Sequence, residues 1–297
     1  MGSCLMVLGE LMPRQRILVT GAAGKLGSAI AARLACDYEV VQLDRVPPSN
    51  PVQRDAGAFH VGSITDRFAV SCAMEGVNAV VHCGAIPGNR SPFDELLQIN
   101  VGGTINLLEE AGSRAECAQF IFISSIRVHG VLEAVRPEFM PHFLPFDETH
   151  PHLTVEYYGG GKLQAEHWCR MYVKRFGKPV VVFRPSYILP AALESSFRAR
   201  EASDTPSLEQ YVATSDFAEA IAAALTYEPT DGIEAFLIHA PDQFTLTPSI
   251  ELAKRHFPGV PVDKEKLSGC GGYGAFVDCT RACERLGWRP RYALKRV

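Results

Sequence analysis

No two of the nine cysteines stand at Cys-x-x-Cys spacing; Cys4, Cys36, Cys72, Cys83, Cys117, Cys169, Cys270, Cys279 and Cys283 are scattered along 297 residues. The odd count and the scatter argue against a disulfide framework and a zinc ribbon, and they fit a reducing cytoplasm. Cys270, Cys279 and Cys283 lie near one another in sequence but form no convincing ligand set, so no metal is expected. A basic surplus is also missing: the formal net charge of −4 leaves no electrostatic footprint for nucleic acid. No apolar run reaches the ~20 residues that span a bilayer, so no membrane partner is expected. The N-terminal "MGSCLMVLGELMPRQR" lacks a basic region before its short apolar part, which Glu10 interrupts, and makes a poor signal peptide. Met6 stands where acylation at Gly2 would want Ser or Thr, so the stretch reads as a flexible leader. Internal repeats and low-complexity tracts are absent.

What is present is a chain with 47% hydrophobic and 21% charged residues, the mix of a soluble globular protein. Its length fits one large domain, or one domain with a small lobe. Short apolar runs predict strands at "RILVT" (16–20), "YEVVQLD" (38–44), "AFHVG", "AVVHCGA" (79–85), "QFIFISS" (119–125), "PVVVFRP" (179–185) and "AFLIHA". Between them, helices are expected over Lys25 to Ala35, over "DRFAVSCAMEG", over Asp94 to Arg114 and over "DFAEAIAAALTY". Continuous apolar strands alternating with helices predict an α/β fold with a parallel sheet covered on both faces. The proline-rich stretches "VPPSNP" and Arg136 to Pro151 read as surface loops.

Between the first strand and its helix, "VTGAAGKLG" supplies Gly21, Gly24 and Gly27. A tight turn and close backbone approach need glycines, and the helix N-terminus then turns free N–H groups and its positive dipole end towards a pyrophosphate. Such a glycine pattern gains weight when a strand precedes it and a helix follows. Asp44 ends the second strand, seventeen positions beyond Gly27. A carboxylate there can accept from both ribose hydroxyls and repel a 2′-phosphate, which favours NAD over NADP; the adjacent Arg45 works in the other direction. The plainer alternative is a solvated aspartate at a strand end. His82, closing the fourth strand, reads as a core histidine with its hydrogen bonds satisfied.

The motifs "TGAAGKLG", "VVHCGA", "INVGGTINLLEEA", "FIFISSIRVHG", "YYGGGK", "FRPSYILP", "YVATSDFAEAI" and "LGWRPR" occur in an order that resembles the extended short-chain dehydrogenase/reductases of the NAD-dependent epimerase/dehydratase type, from about Arg16 to Arg291. The resemblance implies a doubly wound Rossmann-type domain over 14–187, to which 211–239 returns, and a small substrate lobe from 188–210 and 240–297. It also bears on "EYYGGGKLQAE" (156–166), where three glycines stand ahead of good helix formers. By itself the stretch reads as a surface turn with a helix starting at Lys162. In the family, a Tyr and a Lys four positions apart share one helix face, and Tyr158 with Lys162 match that pattern, which puts the glycines inside the first turn. Gly161 stands where many relatives carry Ser.

On the same resemblance Ser125, Tyr158 and Lys162 are the expected catalytic set. The cofactor surface is expected to comprise Gly21, Ala23, Gly24, Lys25, Leu26, Gly27, Asp44, Arg45, Ser63, Ile64, Cys83, Gly84, Ala85, Asn100, Tyr158, Lys162 and Pro185. The substrate side is expected to comprise Ile86, Ser125, Arg127, His129, Tyr158, Ser186 and Tyr187. Ser124 is the weaker candidate for the catalytic hydroxyl, and Asn100 reads equally as a buried structural residue. Arg127 either binds a carboxylate or phosphate bidentately or is a surface residue. A phenol with a pKa near 10 is a poor base at neutral pH, and a close ammonium group would stabilise its phenolate.

About twenty residues separate "FRPSYILP" from "YVATSD", where relatives that grip sugar nucleotides carry a longer segment. The reading is therefore an NAD-dependent dehydrogenase of a small sugar, sugar acid or polyol. Two alternatives stay open: a sugar-nucleotide epimerase with tightly held NAD, and a non-catalytic NAD sensor or scaffold. A dehydratase is disfavoured because no carboxylate accompanies Ser125. Family likeness implies a homodimer through the helices near 94–114 and 156–176.

Overall fold

A computed structural model describes residues 14–294 except 89–90, 132–135, 137–138, 191, 193–207, 209 and 244. The leader up to Pro13 and part of the expected lobe segment 188–210 lie outside the described residues. Seven parallel strands make the main sheet, in the order β3-β2-β1-β4-β5-β6-β9. They are β1 (Arg16–Thr20), β2 (Glu39–Asp44), β3 (Ala58–Val61), β4 (Ala79–His82), β5 (Gln119–Ile123), β6 (Val180–Pro185) and β9 (Ile233–Ile238). A separate two-stranded sheet pairs β7 (Tyr187–Leu189) with β8 (Tyr211–Ala213). The chain thus belongs to the doubly wound α/β class, with the strand order reversing between β1 and β4, where such sheets open a ligand crevice at their carboxyl ends.

One face of the sheet packs Ile17, Val19, Val81, Ile121 and Phe183 against α1 (Lys25–Leu34) and the helix Thr214–Ala224. The other packs Leu18, Val80, Phe120 and Val182 against α3 (Arg67–Ala73), α5 (Thr104–Ser113) and α6 (Tyr157–Phe176). Strands buried on both sides need apolar residues at consecutive positions, which is why they read as runs and not as alternations. A third cluster joins Leu252, Phe257, Leu267 and Phe276 to Ile126 and Leu237 at the sheet's carboxyl end.

The "VPPSNP" stretch is a largely exposed loop through Asn50, as expected, and leads straight into a short helix, α2 (Pro51–Asp55), which Asn50 caps and Pro51 opens. Two local expectations are corrected. The 136–151 stretch, in its described part, is not a surface loop. Leu144 and Phe146 are buried, bridge to Val262 and Val277, and join the third core. The expected helix 94–114 is present but not uniform: α4 (Phe93–Leu96) and α5 are joined by a π-helical stretch, Leu97–Gly103. Gly103 permits close packing there, since a Cβ on it would lie 2.5 Å from the Ile64 side chain.

Candidate active site

The turn between β1 and α1 is built for close approach. Gly21 adopts φ +68°, and a Cβ on it would lie 2.8 Å from the Gly84 backbone, at the point where β1 and β4 diverge. A Cβ on Gly27 would lie 2.2 Å from the Gly21 carbonyl oxygen, so a side chain at either position would fill the cradle. Gly24 caps α1 without a side-chain acceptor, which leaves first-turn N–H groups for an anionic ligand. Lys25 is exposed beside them, and Leu26 is half-buried.

Asp44 is not a merely solvated strand end. Its Oδ2 accepts from the Ala23 N–H at 3.0 Å and its Oδ1 from the Val46 N–H at 3.2 Å. The carboxylate is thereby tied to the glycine turn, and each oxygen keeps acceptor capacity for a ribose hydroxyl. Arg45 is exposed. Gln53, on α2, donates to the Ala23 carbonyl at 3.0 Å and holds the turn from the far side. That contribution was missed in the sequence, although Asn50-Pro51 signalled the helix that carries it.

A chain of hydrogen bonds then crosses the crevice. The Gly84 N–H donates to Thr20 Oγ1, which lies 2.7 Å from His82 Nδ1, while His82 Nε2 lies 2.9 Å from Thr104 Oγ1, itself a donor to the Asn100 carbonyl. The directions along this chain make Nε2 the protonated nitrogen. Burial, assisted by the Lys162 charge, pushes the His82 pKa down to about 3, so the ring stays neutral. His82 is the satisfied core histidine expected. The Asn100 side chain accepts from the Ile86 N–H at 2.8 Å and donates to the Ile86 carbonyl at 3.0 Å. It fixes the turn carrying Cys83, Gly84, Ala85 and Ile86. Ser63 and Ile64 follow β3, and Asn106 donates to the Ile64 carbonyl at 3.1 Å.

Tyr158 and Lys162 lie in the first turns of α6, so the three glycines are helical. They are not equivalent. A Cβ on Gly159 would lie 2.3 Å from Thr154 Oγ1 and 2.8 Å from the Arg127 carbonyl oxygen, whereas Gly160 has nothing within 4 Å and Gly161 only Val101 at 3.9 Å. Gly159 is what lets the helix start close against the loop after β5. Lys162, buried, donates from Nζ to the Ile123 carbonyl at 2.6 Å, and Nζ is 5.9 Å from the Tyr158 ring centroid. Burial pushes its pKa down to about 8, against the opposing pull of Cys83, Cys169 and Glu166. Burial also raises the Cys83 thiol to about 12, which keeps it protonated.

Ser125, two residues beyond Ile123, accepts the Arg127 N–H at 3.2 Å and keeps its own proton for donation. Arg127 pairs with Glu156 at 3.4 Å, and its guanidinium lies 5.8 Å over the Tyr158 ring. Ser124 points elsewhere: it donates to Glu166 at 2.6 Å. Glu166 also accepts from Arg184 Nε at 3.0 Å and Nη2 at 2.7 Å. Burial alone would raise the Glu166 pKa, but the Arg184 bonds and charge, with Ser124, hold it below the usual carboxylate range.

His129 belongs to this buried network. Its Nε2 faces Arg184 Nη1 at 3.2 Å and its Nδ1 the His150 carbonyl at 3.1 Å. With both ring nitrogens engaged it offers no hydrogen-bonding atom to a substrate, which corrects the expected contact. Burial, then the Arg184 charge, holds its pKa well below the usual imidazole value. Pro185 and Ser186 are buried at the end of β6, and Tyr187 is exposed. The Glu166–Arg184 pair escaped the sequence reading; an arginine inside the apolar run "VVVFRP" was its one signal.

The model of the NAD dependent epimerase/dehydratase family matches residues 17–195, more than half of the chain. This chain belongs to that family. It is 31% identical to an L-arabinose 1-dehydrogenase (NAD(P)(+)) of Haloferax volcanii, over 59% of this chain and 68% of the relative. It is also 31% identical to a uronate dehydrogenase of Pseudomonas syringae pv. tomato, over 58% of this chain and 59% of the relative. The match therefore spans about three fifths to two thirds of these proteins. A solved UDP-glucose 4-epimerase of Thermotoga maritima superposes with a TM-score of 0.72 at 20% identity, covering 95% of each chain, a likeness of fold.

Proposed function

We propose that this family member is an NAD-dependent oxidoreductase acting on a hydroxyl or carbonyl carbon of a small sugar, sugar acid or polyol. The observation that carries the reading is the meeting of Tyr158, Lys162 and the loop bearing Ser125 beside a glycine cradle made at the sheet's carboxyl end. Bound NAD would supply the hydride acceptor; Asp44 would hold its adenosine ribose, and the first turn of α1 its pyrophosphate. Tyr158 takes the proton of the substrate hydroxyl. Lys162 is cationic below about pH 8, and its field favours the phenolate that this step requires. Ser125 donates to the reacting oxygen and so fixes the carbon's orientation.

Arg127, held beside the phenol ring, gives a sugar acid's carboxylate a bidentate partner at the cost of loosening its pair with Glu156. The names of the similar dehydrogenases, on arabinose and on uronates, support this substrate class.

No described helix is long and apolar enough to cross a membrane. The described cysteines are all free, which suits a reducing cytoplasm. A homodimer is part of the proposal. Phe93, Leu97, Tyr157, Trp168 and Met171 leave apolar surface exposed along α4, the π-helical stretch and α6, and sedimentation showing only monomer at high concentration would remove it.

The deciding experiment is nicotinamide absorbance with NAD and a panel of free sugars, sugar acids and sugar nucleotides. Reduced cofactor should accumulate with a small sugar or sugar acid. Isomerised sugar nucleotide without accumulation would make the protein an epimerase.

A further inference from the structure

The glycine turn is gripped from β2 by two routes. Asp44, at the strand's end, accepts the Ala23 N–H at 3.0 Å. Two residues earlier, the buried Gln42 side chain donates to the Gln53 carbonyl at 2.7 Å and to the Gly57 carbonyl at 3.1 Å, which anchors α2 beside the strand. From α2, the Gln53 side chain donates to the Ala23 carbonyl at 3.0 Å. Its Oε1 accepts the Ser49 N–H at 2.5 Å and the Ser49 hydroxyl at 3.1 Å. Both routes end on one residue of the turn, and the exposed loop from Arg45 to Asn50 is closed into the same ring of bonds.

Gln53 is 3% exposed, although it sits on a five-residue helix whose Val52 and Arg54 face solvent. Burying an amide costs desolvation unless its atoms are paired, and here the pairing does directional work. The Ala23–Gly24 peptide is held at both ends: Gln53 takes its carbonyl, and its N–H donates to the Gly21 carbonyl at 3.0 Å. Asp44 holds the N–H of the peptide before it. Gly24 caps α1, so the plane of this peptide sets where the first N–H groups of the helix point. An anion site made of backbone N–H groups gains affinity when the donors are aimed before the ligand arrives.

We propose that Gln53 is a positioning residue for the cofactor: through Ala23 it aims the first-turn N–H groups of α1 at the pyrophosphate, and it raises affinity for NAD and NADP alike. This rests on the reading of the glycine turn as the pyrophosphate site and extends that site to α2. Asp44 differs in kind, because its carboxylate would meet the adenosine ribose and so bears on the choice between the two cofactors.

The test is calorimetric titration of the full chain with NAD and with NADP. Gln53→Met keeps length and approximate volume while removing the donor to Ala23 and the acceptor for Ser49. At pH 8 its affinity for each cofactor should fall about tenfold with the ratio between them unchanged, whereas Asp44→Ala should move the ratio. Gln53→Glu adds a chemical signature. As a carboxylate it accepts from Ser49 but cannot donate to the Ala23 carbonyl; once protonated it can. Its deficit in NAD affinity against the wild type should therefore shrink between pH 8.5 and pH 5, since a carboxyl so buried titrates above its ordinary range. Lys25, Asp44, Arg45, Arg54 and Asp55, the charged groups about the turn and α2, are common to the two proteins. Circular dichroism checks folding at each pH, and Gln53→Glu alone decides should Gln53→Met not fold. Gln53→Met affinity for NAD within twofold of the wild type, or a Gln53→Glu deficit equal at both pH values, would overturn the role while leaving the pyrophosphate reading intact. No NAD bound by the wild type would overturn both.

Discussion

Lys162 follows Tyr158 by one helical turn, and its ammonium group lies 5.9 Å from the phenol ring centroid while donating to the Ile123 carbonyl at 2.6 Å. The same cation therefore stitches α6 to the end of β5 with the phenol ring one turn away. Burial weakens the cation's hold on its proton, so that charged tie weakens as pH rises.

Removing the phenol's proton chemistry should be decisive. Tyr158→Phe keeps the ring under Arg127 and should lower kcat by roughly two to four orders of magnitude with the NAD dissociation constant unchanged. Steady-state rates on the best substrate, with NAD binding followed by fluorescence, check this. Equal turnover would remove Tyr158 from the mechanism.

The cofactor choice should rest on Asp44. Asp44→Ala loses both the tie to Ala23 and the charge that repels a 2′-phosphate. The ratio of kcat/KM for NAD to that for NADP should fall by about tenfold or more, since a charge-assisted hydrogen bond contributes about 1.5–3 kcal/mol. An unchanged ratio would mean that Arg45, not Asp44, governs the choice.

Two glycines one position apart should respond with opposite signs. Gly160→Ala places a methyl in open space and should stabilise by about 0.5–1 kcal/mol through helix propensity. Gly159→Ala drives the methyl into Thr154 and the Arg127 carbonyl and should destabilise, and lower kcat by displacing the Ser125 loop. Urea denaturation and rates on both variants check the pair; stabilisation by both would mean that α6 does not press on that loop.

Stability of the cofactor-free chain should depend on Lys162 in a defined pH window. The folded-state pKa, about 8, lies below the ordinary 10.5. Below pH 8 both states hold the proton and the folded chain carries the full cost of a buried charge. Between about 8 and 10.5 the unfolded chain binds more protons, so stability rises with pH. Relative to Lys162→Met, the wild type should gain up to roughly 3 kcal/mol between pH 7 and pH 10.5. Urea titrations at the two pH values read this directly, and a constant difference between the proteins would sink it.

Local pattern was enough for much of this. The seven main-sheet strands, the glycine turn and the strand-end Asp44 are written in contiguous residues, because a buried parallel strand must be apolar throughout and a pyrophosphate turn must be small. The Tyr158–Lys162 pairing followed from family wording and one helical turn of spacing. Short signals were present but unread at α2, where Asn50 and Pro51 start a helix that looked like a loop.

The rest depends on contacts between residues far apart in the chain. Nothing local marks Glu166 as the partner of Arg184 and Ser124, because the three meet only when α6 lies across β5 and β6. Leu144 and Phe146 look like loop residues until Val262 and Val277 arrive to cover them. Within the π-helical stretch, Asn100 meets the Ile86 backbone and Gly103 packs on Ile64, partners that lie far from it in sequence. Periodicity reports which face of an element is buried; which polar atoms satisfy one another across elements is settled by packing alone.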